Sequence, residues 1–201
     1  HDLILLTHPI THASTHSRWY FSLKYTAYRI ILKHAIEKAA RIITVSEFSK
    51  SDIEKHFPKT KGKVIVLYEG TSFSSLPIQT KTENLIPKPY ILYVGTAYPH
   101  KNLEWIIDTF LQWREKRHRK EIFVLVGDHD NFYLRLIGRF KAVQEVIHFI
   151  GSVADEKLIG LYQNAAVYIA PSLYEGFGLP AVEALEFGLP VLASDRTSQP
   201  E

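Results

Sequence analysis

Val167-Tyr168-Ile169-Ala170-Pro171-Ser172-Leu173-Tyr174-Glu175-Gly176-Phe177-Gly178-Leu179-Pro180-Ala181-Val182-Glu183-Ala184-Leu185 sets the terms for the whole chain. Its opening apolar run reads as a short buried strand. Pro180 falls where the first turn of a helix begins, a position that tolerates its missing N–H. Two glycines between strand and helix allow a sharp bend and a close approach of ligand to backbone. The free N–H groups at the helix start, and the positive end of its dipole, attract anions and hydroxyl oxygens. Glu175 stands before the turn and Glu183 inside the helix. A carboxylate accepts two hydroxyl hydrogen bonds at once, which suits the vicinal diol of a sugar or ribose. Together these features describe a sugar-nucleotide pocket.

The same glycines fit a second pattern. Gly176-Phe177-Gly178-Leu179-Pro180-Ala181 matches G-x-G-x-x-A, and Asp195 lies about 20 residues further on, as a dinucleotide fingerprint requires. That fingerprint opens the first βαβ unit of its domain. Here several strand–helix units come earlier, and a polar Ser-Leu-Tyr-Glu stretch separates strand from turn. The sugar-nucleotide reading fits better.

Upstream, strands and helices alternate. Pro89 to Val94 is an apolar run ending in Gly95, and Asn102 is placed to cap a helix that turns Leu103, Ile106, Ile107, Phe110 and Leu111 inward. Glu121 to Val126 is the next strand, closed by Gly127-Asp128. A helix around 132–143 leads to a strand over 146–150 and to Gly151-Ser152-Val153. Asp155 opens a further helix with Leu158, Ile159, Leu161 and Tyr162 inside. Such alternation argues for a parallel, doubly wound sheet, whose ligands bind beyond the carboxyl ends of the strands. Gly95, Gly127, Gly151 and Gly176 all follow strands. Lys101, at a helix start behind the Gly95-Thr96 turn, brings a cation to a place already suited to a diphosphate.

In the first third, Arg41 to Val45 reads as a strand and Ser46 or Ser49 as the cap of the helix after it. Lys63 to Leu67 is another short strand. Residues 17–40 form an amphipathic helix with Leu23, Ala27, Ile30, Ile31, His34 and Ala35 on the face expected to pack against its own domain. Its basic and aromatic side chains, Tyr20, Lys24, Tyr25, Tyr28 and Lys33, also suit a membrane surface. His8, His12 and His16 recur at intervals of four, but Pro9 and the interleaved threonines argue for a loop of solvated histidines rather than a metal site. Residues 72–88 mix Ser, Thr, Pro and Lys without periodicity and read as a linker.

The totals agree with a globular α/β chain. Of 201 residues, 46% are apolar, enough for a sizeable core. A net charge of +3, with no basic stripe interleaved with aromatics, gives no sign of nucleic-acid binding. Cysteine is absent, which excludes disulfides and thiolate metal sites.

Glu175 and Glu183, with seven residues between them, resemble the E-x7-E motif of the retaining GT-B glycosyltransferases called group 1 or family 4. The surrounding P-S-L-Y-E-G-F-G-L-P-x-x-E-A-L makes that likeness specific. Gly95-Thr96-Ala97-Tyr98-Pro99-His100-Lys101-Asn102 resembles the family's G-T-L-E-P-R-K-N loop, with His100 where arginine is common. Thr44 to Lys50 resembles the last βα unit of its acceptor domain, and His1-Asp2-Leu3 an H-D-L motif of the same domain. Tyr68-Glu69-Gly70-Thr71 departs from the family's P-N-G-V or P-N-G-I.

The resemblance implies an α/β protein of GT-B architecture: two Rossmann-like, doubly wound parallel-sheet lobes, both incomplete in this chain. Residues 1–71 would be the C-terminal part of the acceptor-binding lobe, 72–88 the interdomain linker, and 89–201 a C-terminally truncated donor lobe. The implied reaction moves a sugar from a nucleoside diphosphate sugar to a hydroxyl acceptor with retention, without metal or cofactor, in polysaccharide or glycolipid synthesis; the alternative is a catalytically idle sugar-nucleotide-binding module of the same fold. GDP-mannose is favoured over a UDP-sugar, and the acceptor is a saccharide or lipid-linked. The implied location is cytoplasmic, with peripheral contact at the inner face of the membrane. Glu175, Lys101 and His1 are the implied catalytic residues. Gly95, Thr96, His100, Lys101, Gly151 and Val153 would bind the donor, with Glu175, Gly176, Phe177, Gly178, Leu179 and Glu183.

Overall fold

A computed structural model of the chain describes residues 3–7, 18–71, 73, 86–87 and 89–201. His1, the histidines at 8, 12 and 16, and most of the 72–88 linker lie outside the described residues. The chain divides into two compact units, one of His1–Glu69, Tyr174–Phe177 and Asp195–Glu201, the other of Gly70–Leu173 and Gly178–Ser194.

The first unit holds α1 (Ile4–Thr7), α2 (Arg18–Lys38), β1 (Ile42–Thr44), α3 (Glu47–His56) and β2 (Val64–Val66). β1 and β2 pair in parallel, Ile42 opposite Val64. Leu3, Ile36, Ile53 and Val64 form the core, with Leu6, Leu32, Ile42 and Phe57 packed on it. This changes the face of α2. Ile36 is buried and Leu32 half-buried, while Leu23, Ile30 and Ile31 are 57%, 65% and 68% exposed. The helix carries apolar residues on two stripes, and periodicity alone cannot say which of them a core will claim.

The second unit continues with β3 (Tyr90–Val94), α4 (Leu103–Lys116), β4 (Ile122–Val126), α5 (Asn131–Arg139), β5 (Ile147–Gly151), α6 (Asp155–Asn164), β6 (Val167–Ala170), α7 (Leu179–Glu186) and β7 (Val191–Ala193). All five strands pair in parallel in the order β5-β4-β3-β6-β7. The central strands read as near-continuous apolar runs because both of their faces are covered. Ile91, Tyr93, Phe123 and Leu125 point into one core with Ile107 and Phe110 of α4; Tyr90, Leu92, Val124 and Tyr168 point into another with Leu161 and Ala184. Phe73 and Ile86 are buried in this second core. The order places a topological switch point between β3 and β6, where the chain leaves the sheet in opposite directions and opens a crevice beyond the carboxyl ends.

Candidate functional site

The β3 loop supplies one side of that crevice. Gly95 has φ 146° and donates its N–H to Val126 O at 2.9 Å. Its carbonyl accepts from the Tyr133 hydroxyl at 3.0 Å, and the Thr96 carbonyl accepts from the Tyr93 hydroxyl at 2.8 Å. Two buried tyrosines thus hold the turn from below. Burial pushes the Tyr133 hydroxyl well above the ordinary tyrosine range, so it stays a proton donor.

Pro99–Lys101 then forms a single 3₁₀ turn ahead of α4. The Lys101 N–H is used inside that turn, donating to Tyr98 O at 2.8 Å, so this amide is not an open anion donor. Asn102 takes a left-handed conformation, φ 58°, and its side chain does not cap α4; its Nδ2 donates to Pro171 O at 3.3 Å instead. His100 is buried, and its carbonyl accepts from Leu173 N–H at 2.7 Å. The loops after β3 and β6 are therefore laced together at the switch point, with Lys101 half-buried beside the lacing.

The other turns of this unit sit at the same ends of their strands. Gly151, φ 82°, closes β5 and accepts from Gly127 N–H at 3.3 Å, while Ser152 Oγ donates to Asp128 Oδ1. Val153 packs against the apolar core. Gly178, φ 95°, stands at the N-cap of α7 without a side-chain cap, and Leu179 and Pro180 begin the helix. A Cβ placed on Gly178 would meet nothing within 4 Å.

Glu183, on the second turn of α7, is only 8% exposed. Its Oε2 accepts from the Tyr162 hydroxyl at 2.8 Å. Burial raises its carboxyl above the ordinary value of 4.5; Glu186 and Asp155 add to the rise and the Tyr162 hydrogen bond opposes it. Tyr162 is itself fixed by stacking on Phe187, ring centroids 5.6 Å apart and planes 14° from parallel. The sequence marks Tyr162 as an inward residue of α6 but contains no signal that it orients this carboxylate.

Glu175, Gly176 and Phe177 belong to the first unit. Glu175 donates its N–H to Thr197 Oγ1 at 2.9 Å, and its carbonyl accepts from Ser198 Oγ at 3.1 Å. The Gly176 carbonyl accepts from Ser46 Oγ at 2.6 Å and Ser49 Oγ at 3.2 Å. Ser46 is also the cap of α3, accepting from Ser49 N–H at 3.0 Å, so one hydroxyl does both jobs. Tyr174 completes the clamp by donating to Asp52 Oδ2 at 2.8 Å. At the same helix start, the Glu47 and Phe48 N–H groups donate to the Glu201 carboxylate at 2.9 and 2.6 Å, an anion where the α3 dipole favours one. The serines were legible as a cap, but neither they nor Glu201 as partners across more than a hundred residues.

Comparison with known proteins gives a consistent answer. Residues 78–201 match the family model described as "Glycosyl transferases group 1". The O-antigen chain mannosyltransferase B of Escherichia coli is 31% identical over all of this chain and 53% of its own length. WaaG, a glycosyltransferase involved in lipopolysaccharide biosynthesis, superposes with a TM-score of 0.70 at 18% identity, over 92% of this chain and 53% of that one. Anabaena HepE in complex with UDP-glucose gives a TM-score of 0.67 at 20% identity, over 90% and 51%. The chain spans about half the length of the curated relatives it matches. Among the described residues, no helix is long and apolar enough to cross a membrane. The chain belongs to the group 1 glycosyltransferases and has their α/β, GT-B fold.

Proposed function

We propose that this chain serves a retaining transfer of a hexose, mannose from GDP-mannose in the first instance, to a saccharide or lipid-linked hydroxyl in polysaccharide synthesis. The observation that carries the reading is the laced pair of loops at the switch point, with Lys101 on one loop and the open Gly178 helix start following the other. The mannosyl choice follows the Escherichia coli relative, and HepE, in complex with UDP-glucose, supplies the UDP alternative.

In this reading residues 89–201 hold the donor and residues 1–71 serve the acceptor. The Gly95-Thr96 turn, His100, Lys101 and the α7 start receive the diphosphate, Glu183 the ribose hydroxyls, and Gly151 to Val153 the base. Glu175 and the amides from Gly176 to Leu179 take the hydroxyls of the transferred sugar, and His1 lines the acceptor side. Negative charge grows on the departing diphosphate, so a lysine preorganised there lowers the barrier more than it tightens binding, and no metal is needed for that role.

The test uses the full-length protein with GDP-mannose and UDP-glucose, following nucleotide release and reading the anomeric configuration of the product by NMR. Lys101→Ala should slow turnover about a hundredfold while GDP affinity falls far less. An inverted product, or equal losses in rate and affinity, would overturn the retaining mechanism or the role of Lys101 respectively.

A further inference from the structure

On the second unit, the first turn of α4 and the face of α5 enclose a groove of about 520 Å³, within the usual range for small-molecule sites. None of the donor residues assigned above lines it. Its walls are aromatic: Trp105, 58% exposed, and the pair Tyr98 and Phe132, edge to face with centroids 4.9 Å apart. An indole this exposed leaves a large flat apolar face in water, which solution alone does not favour.

The polar groups between the rings are held in place. Arg139 donates to Glu104 through Nη1 and to Asp108 through Nη2, the latter at 2.6 Å. Arg135 lies over the Phe132 ring, 5.7 Å from its centroid. Two carboxylates and two guanidiniums therefore line the groove, and their charges cancel. Planar groups of this kind present paired donors and acceptors in fixed directions. A ligand matched to such a surface is neutral, with an apolar face to lie on an aromatic ring and an edge of hydroxyls to meet forked polar groups. A pyranose has that form; a phosphate or a nucleotide does not.

We propose that the α4–α5 groove is a second carbohydrate site, which holds a neutral stretch of saccharide chain away from the reacting end. The choice of saccharide chain as the natural ligand rests on the glycosyltransferase reading. Tyr98 joins the groove to the donor loop, since its ring lies 5.8 Å from that of His100.

Trp105 supplies the readout. The full-length protein is titrated with mannotriose, and separately with maltotriose, by tryptophan fluorescence and calorimetry. A saturable fluorescence change with either sugar that disappears in Trp105→Ala, with binding weakened about tenfold, supports the groove. Arg139→Ala should weaken the same binding, and GDP affinity should stay unchanged in Trp105→Ala. Trp105 is exposed, so its removal leaves the fold intact. Absence of saturable binding by both sugars, or binding that survives Trp105→Ala, overturns the proposal. The two readings separate cleanly. Sugar binding lost in Trp105→Ala without any donor turnover keeps the groove and removes the transferase function. Turnover without sugar binding does the reverse.

Discussion

At Gly95 a Cβ would lie 2.9 Å from the Tyr93 hydroxyl, whereas at Gly178 it would meet nothing within 4 Å. Both residues hold positive φ, 146° and 95°, and both follow strands that flank the switch point. The first turn is crowded from beneath by the tyrosines that hold its carbonyls, and its neighbour Gly127 is more crowded still. The second has only the conformational requirement, and the space a side chain would fill is left empty. Glycine in one turn makes room for the protein itself. Glycine in the other leaves open the space that the proposed donor would fill.

The crowded side gives the largest expected effect. A Cβ on Gly127 would overlap the Gly95 carbonyl oxygen and come within 2.6 Å of the Tyr133 ring. Neither partner yields easily, because the carbonyl is backbone and Tyr133 is fully buried. Gly127→Ala should therefore destabilise by about 3 kcal/mol, at the upper end for overpacking, and lower the melting temperature measurably. A variant that melts with the wild type would mean that this turn is no tighter than the one at Gly178.

The contrast between the turns also marks the limit of what the sequence discloses. The strands were legible because Tyr90 to Val94 and Ile122 to Val126 are unbroken apolar runs, and the glycines after them announce turns. Which glycine is crowded was not legible, because Tyr93 and Tyr133 look like ordinary core aromatics until the fold brings their hydroxyls under Gly95. Distance along the chain hid the Ser46 and Ser49 bonds to Gly176 in the same way. Asn102 misled for a local reason: its left-handed backbone turns the side chain toward Pro171 instead of back onto α4. The E-x7-E glutamates were legible as a pair, but not that Glu183 would be buried against Tyr162.

A smaller effect on stability, and a larger one on binding, is expected at the open turn. An alanine at Gly178 meets no atom, so only the left-handed conformation opposes it, at roughly 1–2 kcal/mol. The methyl group would project into the space assigned to the donor. Gly178→Ala should keep its fold by circular dichroism while GDP-mannose binding falls by more than the lost stability can explain. Unchanged donor binding in a folded variant would show that the empty space is not used, and the contrast between the turns would reduce to packing.

The smallest stability change, with opposite sign, belongs to Glu183 on the helix that the open turn begins. Folding raises this carboxyl above 4.5, chiefly by burial, so the folded state favours its protonated form. The group's contribution to stability is complete below pH 4.5 and is lost as pH rises through the folded value. Glutamine does not titrate, and its carbonyl can still accept from the Tyr162 hydroxyl. Glu183→Gln should thus match the wild type in acid and become the more stable of the two near neutrality, as melting curves across pH would record. In the proposed donor site, GDP affinity at neutral pH should fall about tenfold, because the substitution removes the charge from the acceptor assigned there to the ribose hydroxyls. Gain in stability with loss of binding is the pattern of a residue kept for its ligand. A Gln variant that instead loses stability at neutral pH would make the carboxylate a structural partner of Tyr162. The open turn would then have no binding residue of its own to set against the crowded one.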